Sequence, residues 1–142
     1  MTQEDKELLL KDLCARLPFG VIVRHTDPFI DNDGNETGEF WYKMGYLCDI
    51  TTLDDMTTTI IESEGSDEEG YEHICFLEKT VPYLRPMSSM TEEEEFKLNE
   101  TRCYTQLTLE SYDWLNAHHF DYRGLIEKGL ALEAPEGMYN ED

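Results

Sequence analysis

The pattern of apolar and polar positions divides the chain near Pro86. Before it, short β-branched or aromatic runs alternate with turn residues, which is typical of strands. Pro86 has no backbone N–H, so a strand that reaches Leu84 should end there. Thr91 then stands where a helix N-cap belongs, with Glu94 as its capping-box partner. The pattern therefore predicts a change from sheet to helix at this point.

The first part predicts one helix and a small sheet. Residues 2–16 carry an apolar stripe at i,i+4 spacing behind a threonine cap, which favours a helix. Runs at 21–23, 39–50 and 57–61 predict strands, as do 73–77 and 81–84, which are either one strand or two pieces of one. Asp31 to Asn35 predicts a hairpin turn. The run of acidic residues from Glu62 to Glu72 indicates a solvated loop.

The second part predicts two or three helices. One follows Thr91, a second follows Thr108, and Asp121 would cap a third over Tyr122–Lys128 that Gly129 ends. The fold class is therefore α+β: an N-terminal helix, a small twisted antiparallel sheet, an SH3-like partial barrel being one form of it, then C-terminal helices. We predict a single domain over 1–142, with a helix-plus-sheet part at 1–85, a helical part at 86–134 and an acidic tail at 135–142.

Charge narrows the classes of partner. The chain has 32 acidic and 11 basic residues, a formal net charge of −21. Binding to nucleic acid through phosphates, or to an anionic membrane surface, needs basic surface instead. This charge is compatible with binding to a basic protein or to a protein that normally binds DNA. It is also compatible with an acidic surface that only keeps the chain soluble.

The four cysteines are scattered, and they predict neither a disulfide framework nor a zinc motif. No C-x-x-C pair occurs, the N-terminus is charged, and no apolar run approaches the roughly 20 residues of a membrane span. We predict free thiols, no cofactor, and a location in the cytoplasm.

The histidines are the first candidates for chemistry. His118 and His119 precede Asp121, but adjacent helical positions point about 100° apart, so the pair is poorly placed to ligate one ion. His73 and Cys75 would share one strand face, and a zinc site would need two further ligands from elsewhere, such as His25. Buried structural roles are the commoner explanation, so no metal site and no catalytic residue is assigned.

Arg85 and Arg123 are scarce cations in an acidic chain. They either pair with internal carboxylates or form a small binding patch with Tyr83 and Tyr122. The sequence has no G-x-S-x-G, P-loop or dinucleotide-binding pattern. The binding candidates are Tyr83, Arg85, His118, His119, Tyr122 and Arg123.

Two segments resemble a family of small proteins from phages and prophages of gut bacteria. They are Tyr83-Leu84-Arg85-Pro86-Met87-Ser88-Ser89-Met90-Thr91-Glu92-Glu93-Glu94 and residues 118–132, His118-His119-Phe120-Asp121 through Leu132; Leu17-Pro18-Phe19-Gly20-Val21 is similar to the family's first strand. The family has no established activity. The resemblance implies a mobile-element origin, and hence the cytoplasm of a bacterial host or a virion.

The function predicted from these observations is a non-enzymatic accessory protein of a phage or mobile element that binds another protein. One alternative is an acidic DNA mimic that blocks a host DNA-binding protein. A second alternative, from a different class, is a small hydrolase that uses His118, His119 or His73.

Overall fold

The computed structural model describes residues 1–62 and 72–139, so most of the predicted acidic loop, 63–71, lies outside the described residues. The chain forms two compact units, Met1–Pro82 and Tyr83–Asp142, and the boundary falls within one strand. Each unit has its own elements and its own core.

Unit 1 begins with helix α1, Gln3–Arg16. The Thr2 side chain accepts a hydrogen bond from Asp5 N at 3.1 Å, as the sequence predicted for its cap. A 3-10 turn follows, and Gly20 leaves it in the left-handed region at φ +70°. The strands are β1 Ile22–Ile30, β2 Glu36–Leu53, β3 Met56–Glu62, β4 Glu72–Phe76 and the first half of β5, Thr80–Pro86.

Within unit 1 the strand order is β4-β3-β2-β1-β5, and every pair is antiparallel. The predicted hairpin turn is confirmed between β1 and β2. There, one carboxylate oxygen of Asp31 accepts from the backbone N–H groups of Asp33 and Asn35, and Gly34 takes φ +85°. Strand β1 is much longer than the predicted 21–23, because its pairing with β2 continues to Ile30.

The sheet of unit 1 curls into a half-barrel, which brings the side chains of β1 and β4 into contact although β2 and β3 lie between them in the sheet. Helix α1 buries Leu9 and Leu13, and its Asp12 and Arg16 form a fully buried ion pair at 2.8 Å. The α+β class is confirmed, whereas the likeness to an SH3 barrel stays a prediction.

Unit 2 contains the second half of β5, helices α2 Glu92–Thr101 and α3 Leu109–Ala117, and two short strands, β6 Phe120–Asp121 and β7 Leu132–Glu133. Both short strands pair with β5 in parallel, so the sheet pairing is mixed and not only antiparallel as predicted. The capping box of α2 is confirmed: Thr91 Oγ1 accepts from Glu94 N, and a Glu94 carboxylate oxygen accepts from Thr91 N, both at 3.1 Å.

The third C-terminal helix of the prediction is wrong, and only two helices follow the sheet in the described part of the chain. Residues 122–124 are irregular and residues 125–129 form turns, and Gly124 takes φ +77°, which an α-helix cannot accommodate. Asp121 does cap this segment, since its two carboxylate oxygens accept from Leu125 N and Ile126 N at 2.9 Å each.

The core of unit 2 is built around α2, α3 and β6. Its fully or nearly buried members are Leu98, Leu115 and Phe120, with Met90, Leu107, Trp114 and Tyr122 packed against them. Leu125 is completely buried as well. The turn segment 122–128 is therefore held by capping and by the burial of one leucine.

Leu125→Ala should destabilise the protein by about 2–5 kcal/mol, the usual cost of truncating a buried leucine. The matched control is Leu109→Ala, because Leu109 is 86% exposed. Denaturant unfolding followed by tryptophan fluorescence measures both free energies of unfolding. Equal midpoints for the two variants would show that Leu125 does not anchor the segment.

Candidate functional site

The outer face of the half-barrel carries a row of exposed apolar side chains. Phe40, Tyr42, Met44 and Tyr46 occupy alternate positions of β2 and are 52%, 56%, 44% and 37% exposed. Alternate residues of a strand point to the same face, so these four form one continuous stripe, called here the β2 row. Single exposed apolar residues are ordinary, whereas a contiguous stripe of them is a candidate interaction surface.

The β2 row is held in place by its neighbours in the sheet. Trp41, Lys43 and Leu47 point to the opposite, inner face and are less exposed. From β1, the Arg24 guanidinium lies over the Tyr42 ring, 4.2 Å from its centroid. This cation–π contact fixes the middle of the row.

Carboxylates flank both ends of the β2 row. Glu36 and Glu39 precede Phe40 in the same strand. At the other end Glu62 is the register partner of Tyr46, and Glu72 is the partner of Glu62.

The raised pKa of the Cys48 thiol reflects the negative charge at the Tyr46 end of the row. Cys48 is exposed as a residue, but its sulfur packs against Ile60 O at 3.3 Å. This partial burial raises the pKa of the thiol, and the carboxylates of Glu72, Glu62 and Asp49 raise it further. The row therefore has an apolar centre and acidic ends.

The inner face of the half-barrel holds a polar cluster. His25 of β1 and His73 of β4 meet through their Nδ1 atoms at 2.9 Å, and His73 Nε2 lies 2.8 Å from Asp27 Oδ2. The Trp41 and His73 rings pack in a T-shaped arrangement with 5.5 Å between their centroids. These side-chain contacts join β1 to β4, which have no backbone pairing with each other in the described residues.

The cluster continues inward through two threonines. His25 Nε2 lies 2.7 Å from Thr59 Oγ1, which lies 2.7 Å from Thr80 Oγ1, and Thr80 Oγ1 donates to Phe76 O at 2.9 Å. His25 and Thr59 are fully buried and Thr80 nearly so. We call the series from Asp27 through both histidines and both threonines to Phe76 O the interior chain.

Burial, and to a lesser extent the nearby His73, lowers the pKa of His25 to about 4 against the opposing effect of Asp27. His25 is therefore neutral at pH 7. Because Thr59 and Thr80 are enclosed, a substrate carbonyl cannot reach either hydroxyl. The arrangement does not offer the accessible nucleophile and base of a hydrolase.

His73 and Cys75 do share the inner face of β4, as the sequence indicated. Cys75 is buried, and its burial raises the pKa of the thiol. The nearby Asp27 carboxylate raises this pKa further. A cleft of about 150 Å³ opens beside it, lined by Asp27, Thr58, Ile74, Cys75, Phe76 and Lys79. Within residues 1–62 and 72–139, no group of three or more His, Cys, Asp or Glu side chains is arranged to hold a metal ion.

In unit 2, Arg85 is the centre of the predicted binding candidates. It donates two hydrogen bonds of 2.7 Å to the Glu94 carboxylate, and its guanidinium lies 4.2 Å from the centroid of the Phe120 ring. These hydrogen bonds lower the pKa of Glu94 to about 2. Arg85 thus connects β5, the first turn of α2 and β6.

The other candidates in unit 2 also have intramolecular contacts. Tyr83 O accepts from Tyr139 Oη at 2.7 Å, and the His119 ring stacks on the Tyr139 ring at 3.8 Å. Arg85 N donates to His119 O. His118 packs on Trp114, with 4.2 Å between ring centroids. Tyr83, Arg85, His118 and His119 are therefore brought into one neighbourhood.

Tyr122 and Arg123 form a separate pair. Tyr122 Oη donates to Asn116 Oδ1 at 2.9 Å, and the Arg123 guanidinium lies 4.6 Å from the Tyr122 ring centroid.

Two shallow clefts meet at Arg85 and Tyr139, one of about 590 Å³ against Glu133 and Glu136 and one of about 330 Å³ against Trp114 and His118. Arg85 thus has a carboxylate partner within unit 2 and also lines both clefts, and its role in binding stays a prediction.

Sequence reasoning missed both features of unit 1. The β2 row was visible as aromatic residues in a predicted strand, and the alternation of Phe40, Tyr42, Met44 and Tyr46 was the signal that would have assigned them to one face. The interior chain had no sequence signal, because its residues come from β1, β3, β4 and β5.

Comparisons with protein-family models, with curated proteins and with solved structures found no match to this chain. The phage family suggested by the sequence therefore stays a prediction. No helix in the described residues is long and apolar enough to cross a membrane.

The lowered pKa of His25 makes stability depend on pH. Between pH 6.5 and about 4 the unfolded state binds a proton at this residue that the folded state resists, so the free energy of unfolding should fall as the pH falls. The loss should reach about 3 kcal/mol near pH 4 and be absent above pH 6.5. Denaturant unfolding of the parent and of His25→Gln across this range measures it.

The control for this test is His118→Gln, which removes a half-exposed histidine from unit 2. It should keep the parent's pH profile, whereas His25→Gln should flatten it. If His25→Gln and the parent lose stability in parallel on acidification, His25 is not the residue responsible.

In the Arg85–Glu94 ion pair of unit 2, the group with a shifted pKa is an acid, unlike His25, which is a base. The pKa of Glu94 is lowered from 4.5 to about 2, so its contribution to stability is complete above pH 4.5 and is lost as the pH falls towards 2. Glu94→Gln should therefore be less stable than the parent at pH 7 and approach it near pH 2. Glu95→Gln, with the same change at an exposed position of α2, should have little effect at either pH.

Proposed function

We propose that this protein is a non-enzymatic binding protein and that the β2 row is its binding surface. The observation that supports this is the stripe of four exposed apolar side chains on one strand, which pairs with β1 along the row and with β3 from Tyr46 onward. Aromatic residues and methionine are enriched at the centres of protein interfaces. A strand already fixed by its pairing with β1 presents them at a lower ordering cost than a flexible segment would.

The partner that fits is a protein with an apolar patch flanked by basic side chains. The row is apolar along its length, and Glu36, Glu39, Glu62 and Glu72 stand at its ends. The net charge of −21 attracts such a partner at long range and repels a second copy of this chain. We therefore expect a heteromeric complex whose association is weakened by salt.

The two alternatives have less support. A DNA mimic needs its carboxylates in rows on rigid elements, whereas the row on β2 is aromatic. The acidic run Glu92–Glu95 does lie on α2, but its Glu94 is paired with Arg85, and the acidic residues of 63–71 lie outside the described residues. A hydrolase on His73 would need an accessible nucleophile, and the hydroxyls of the interior chain are buried. The mobile-element origin and the location in a bacterial cytoplasm or a virion remain part of the proposal.

The test is a capture experiment with matched variants. The triple variant Phe40→Thr/Tyr42→Thr/Met44→Thr keeps strand-forming residues and removes the apolar surface of the row. The control, Phe96→Gln/Leu109→Gln, removes exposed apolar residues from unit 2 and keeps helix-forming ones. Each immobilised chain is exposed to lysate of the source cells, and retained proteins are identified by mass spectrometry.

We expect a basic protein that the parent and the control retain, that the triple variant loses, and that salt elutes. Circular dichroism checks that the triple variant remains folded. A partner that the triple variant still retains would refute the β2 row as the surface. If added duplex DNA displaces that partner, the DNA-mimic alternative replaces the proposal.

A further inference from the structure

The hairpin of β1 and β2 has an outer edge on each of its two strands. Strand β2 pairs with β1 along the row, but its pairing with β3 begins only at Tyr46. On the other side, β1 pairs with β5 only from Val23 to His25. Towards the hairpin turn, both outer edges therefore lack a neighbouring strand in the described residues.

The register decides which backbone groups of β2 point to its outer edge. Leu47 N donates to Val21 O, so Leu47 and the alternate positions before it exchange hydrogen bonds with β1. The residues between them direct their N–H and C=O groups away from β1. At Phe40 and Tyr42, no strand of the described residues receives these groups. Phe40 and Tyr42 are also the two most exposed members of the β2 row.

The outer edge of β1 is protected by its own residues and by β4. By the same register, Thr26 and Pro28 direct their backbone groups away from β2. Pro28 has no N–H, and proline on an exposed edge is a usual protection against strand pairing. The Cys75 thiol contacts Thr26 O at 3.7 Å. Strand β2 contains no proline, so its edge keeps its donors.

We propose that the partner binds by adding an extended segment to this edge, as a further strand beside Phe40 and Tyr42. The inference rests on the proposed function, because the added strand lies along the same β2 row. Backbone hydrogen bonds to an exposed sheet edge provide affinity, and alternate side chains of the added strand provide specificity. Those that point to the outer face lie next to the rings of Phe40 and Tyr42.

The charges near the edge indicate the composition of the added segment. Glu36 and Glu39 precede Phe40, and at the other end of the row Glu62 is the register partner of Tyr46. The segment that fits has alternating apolar residues, which contact the exposed rings, and basic residues at its ends. A second copy of this chain is disfavoured as the partner, because each copy has a net charge of −21.

Hydrogen exchange on the full-length chain tests the edge. After correction for intrinsic rates, the amides of Phe40 and Tyr42 should exchange about tenfold faster than those of Trp41 and Lys43, which pair with β1. The probe is the synthetic peptide Lys-Lys-Thr-Val-Thr-Val-Thr-Lys-Lys, which should slow the exchange of Phe40 and Tyr42 about tenfold. Equally slow exchange of all four amides in the free protein would show that the edge is already occupied, and would overturn the inference.

Two controls separate backbone pairing from side-chain contact. The same peptide with N-methylated central amides keeps its charge and side chains but cannot donate to the edge, so it should bind about tenfold more weakly. In the protein, Tyr42→Pro removes the outward N–H, and it should bind the unmodified peptide about tenfold more weakly than Tyr42→Thr, which keeps that group. If Tyr42→Pro does not fold, the comparison of the two peptides on the parent chain decides.

The outcomes distinguish this inference from the proposed function. Equal binding of the two peptides to the parent, or binding of neither, would overturn strand addition and leave the β2 row to the capture experiment. If the unmodified peptide binds the triple variant Phe40→Thr/Tyr42→Thr/Met44→Thr as tightly as the parent, and the N-methylated peptide binds both more weakly, strand addition is supported and the apolar row is not the source of affinity.

Discussion

The architecture of unit 1 depends on how its curled sheet is held together between β1 and β4. A backbone ladder joins every other neighbouring pair of strands, but here side chains make the connection: His73 to Asp27, His73 to His25, and onward to the threonines of β3 and β5. Buried polar groups are costly unless each has a partner, so this series is stabilising only as a complete set. One interior position thereby couples four strands.

That constraint also explains the division of roles between the two faces of the sheet. The inner face is committed to the interior chain and to a small apolar core of Val23, Leu47 and Ile61. The outer face takes no part in these contacts. Strand β2 nevertheless carries aromatic and sulfur-containing side chains there, whereas a solvated strand usually carries threonines and charged residues. This apolar outer face is where we propose that a partner binds.

In unit 2, the connection between elements is made by an ion pair at the start of α2. Glu94 accepts from the Thr91 backbone and from the Arg85 guanidinium, so one carboxylate caps α2 and fixes the end of β5. Arg85 in turn covers Phe120 of β6. Arg85, His119 and Tyr122, which the sequence indicated as binding candidates, also make internal contacts in unit 2, and their role in binding stays a prediction.

The sequence by itself determined the features that depend on neighbours along the chain. Thr2, Thr91 and Pro86 fixed the start of α1, the start of α2 and the end of β5, because capping and the missing N–H of proline act within a few residues. It failed where one local signal overrode another: Asp121 and Gly129 suggested a helix, but Gly124 at φ +77° made it a series of turns. Only the tertiary structure decided the interior chain, since His25, Thr59, His73 and Thr80 are far apart in sequence and meet through the curl of the sheet. Curl depends on the pairing and register of all the strands together, and no local pattern encodes it.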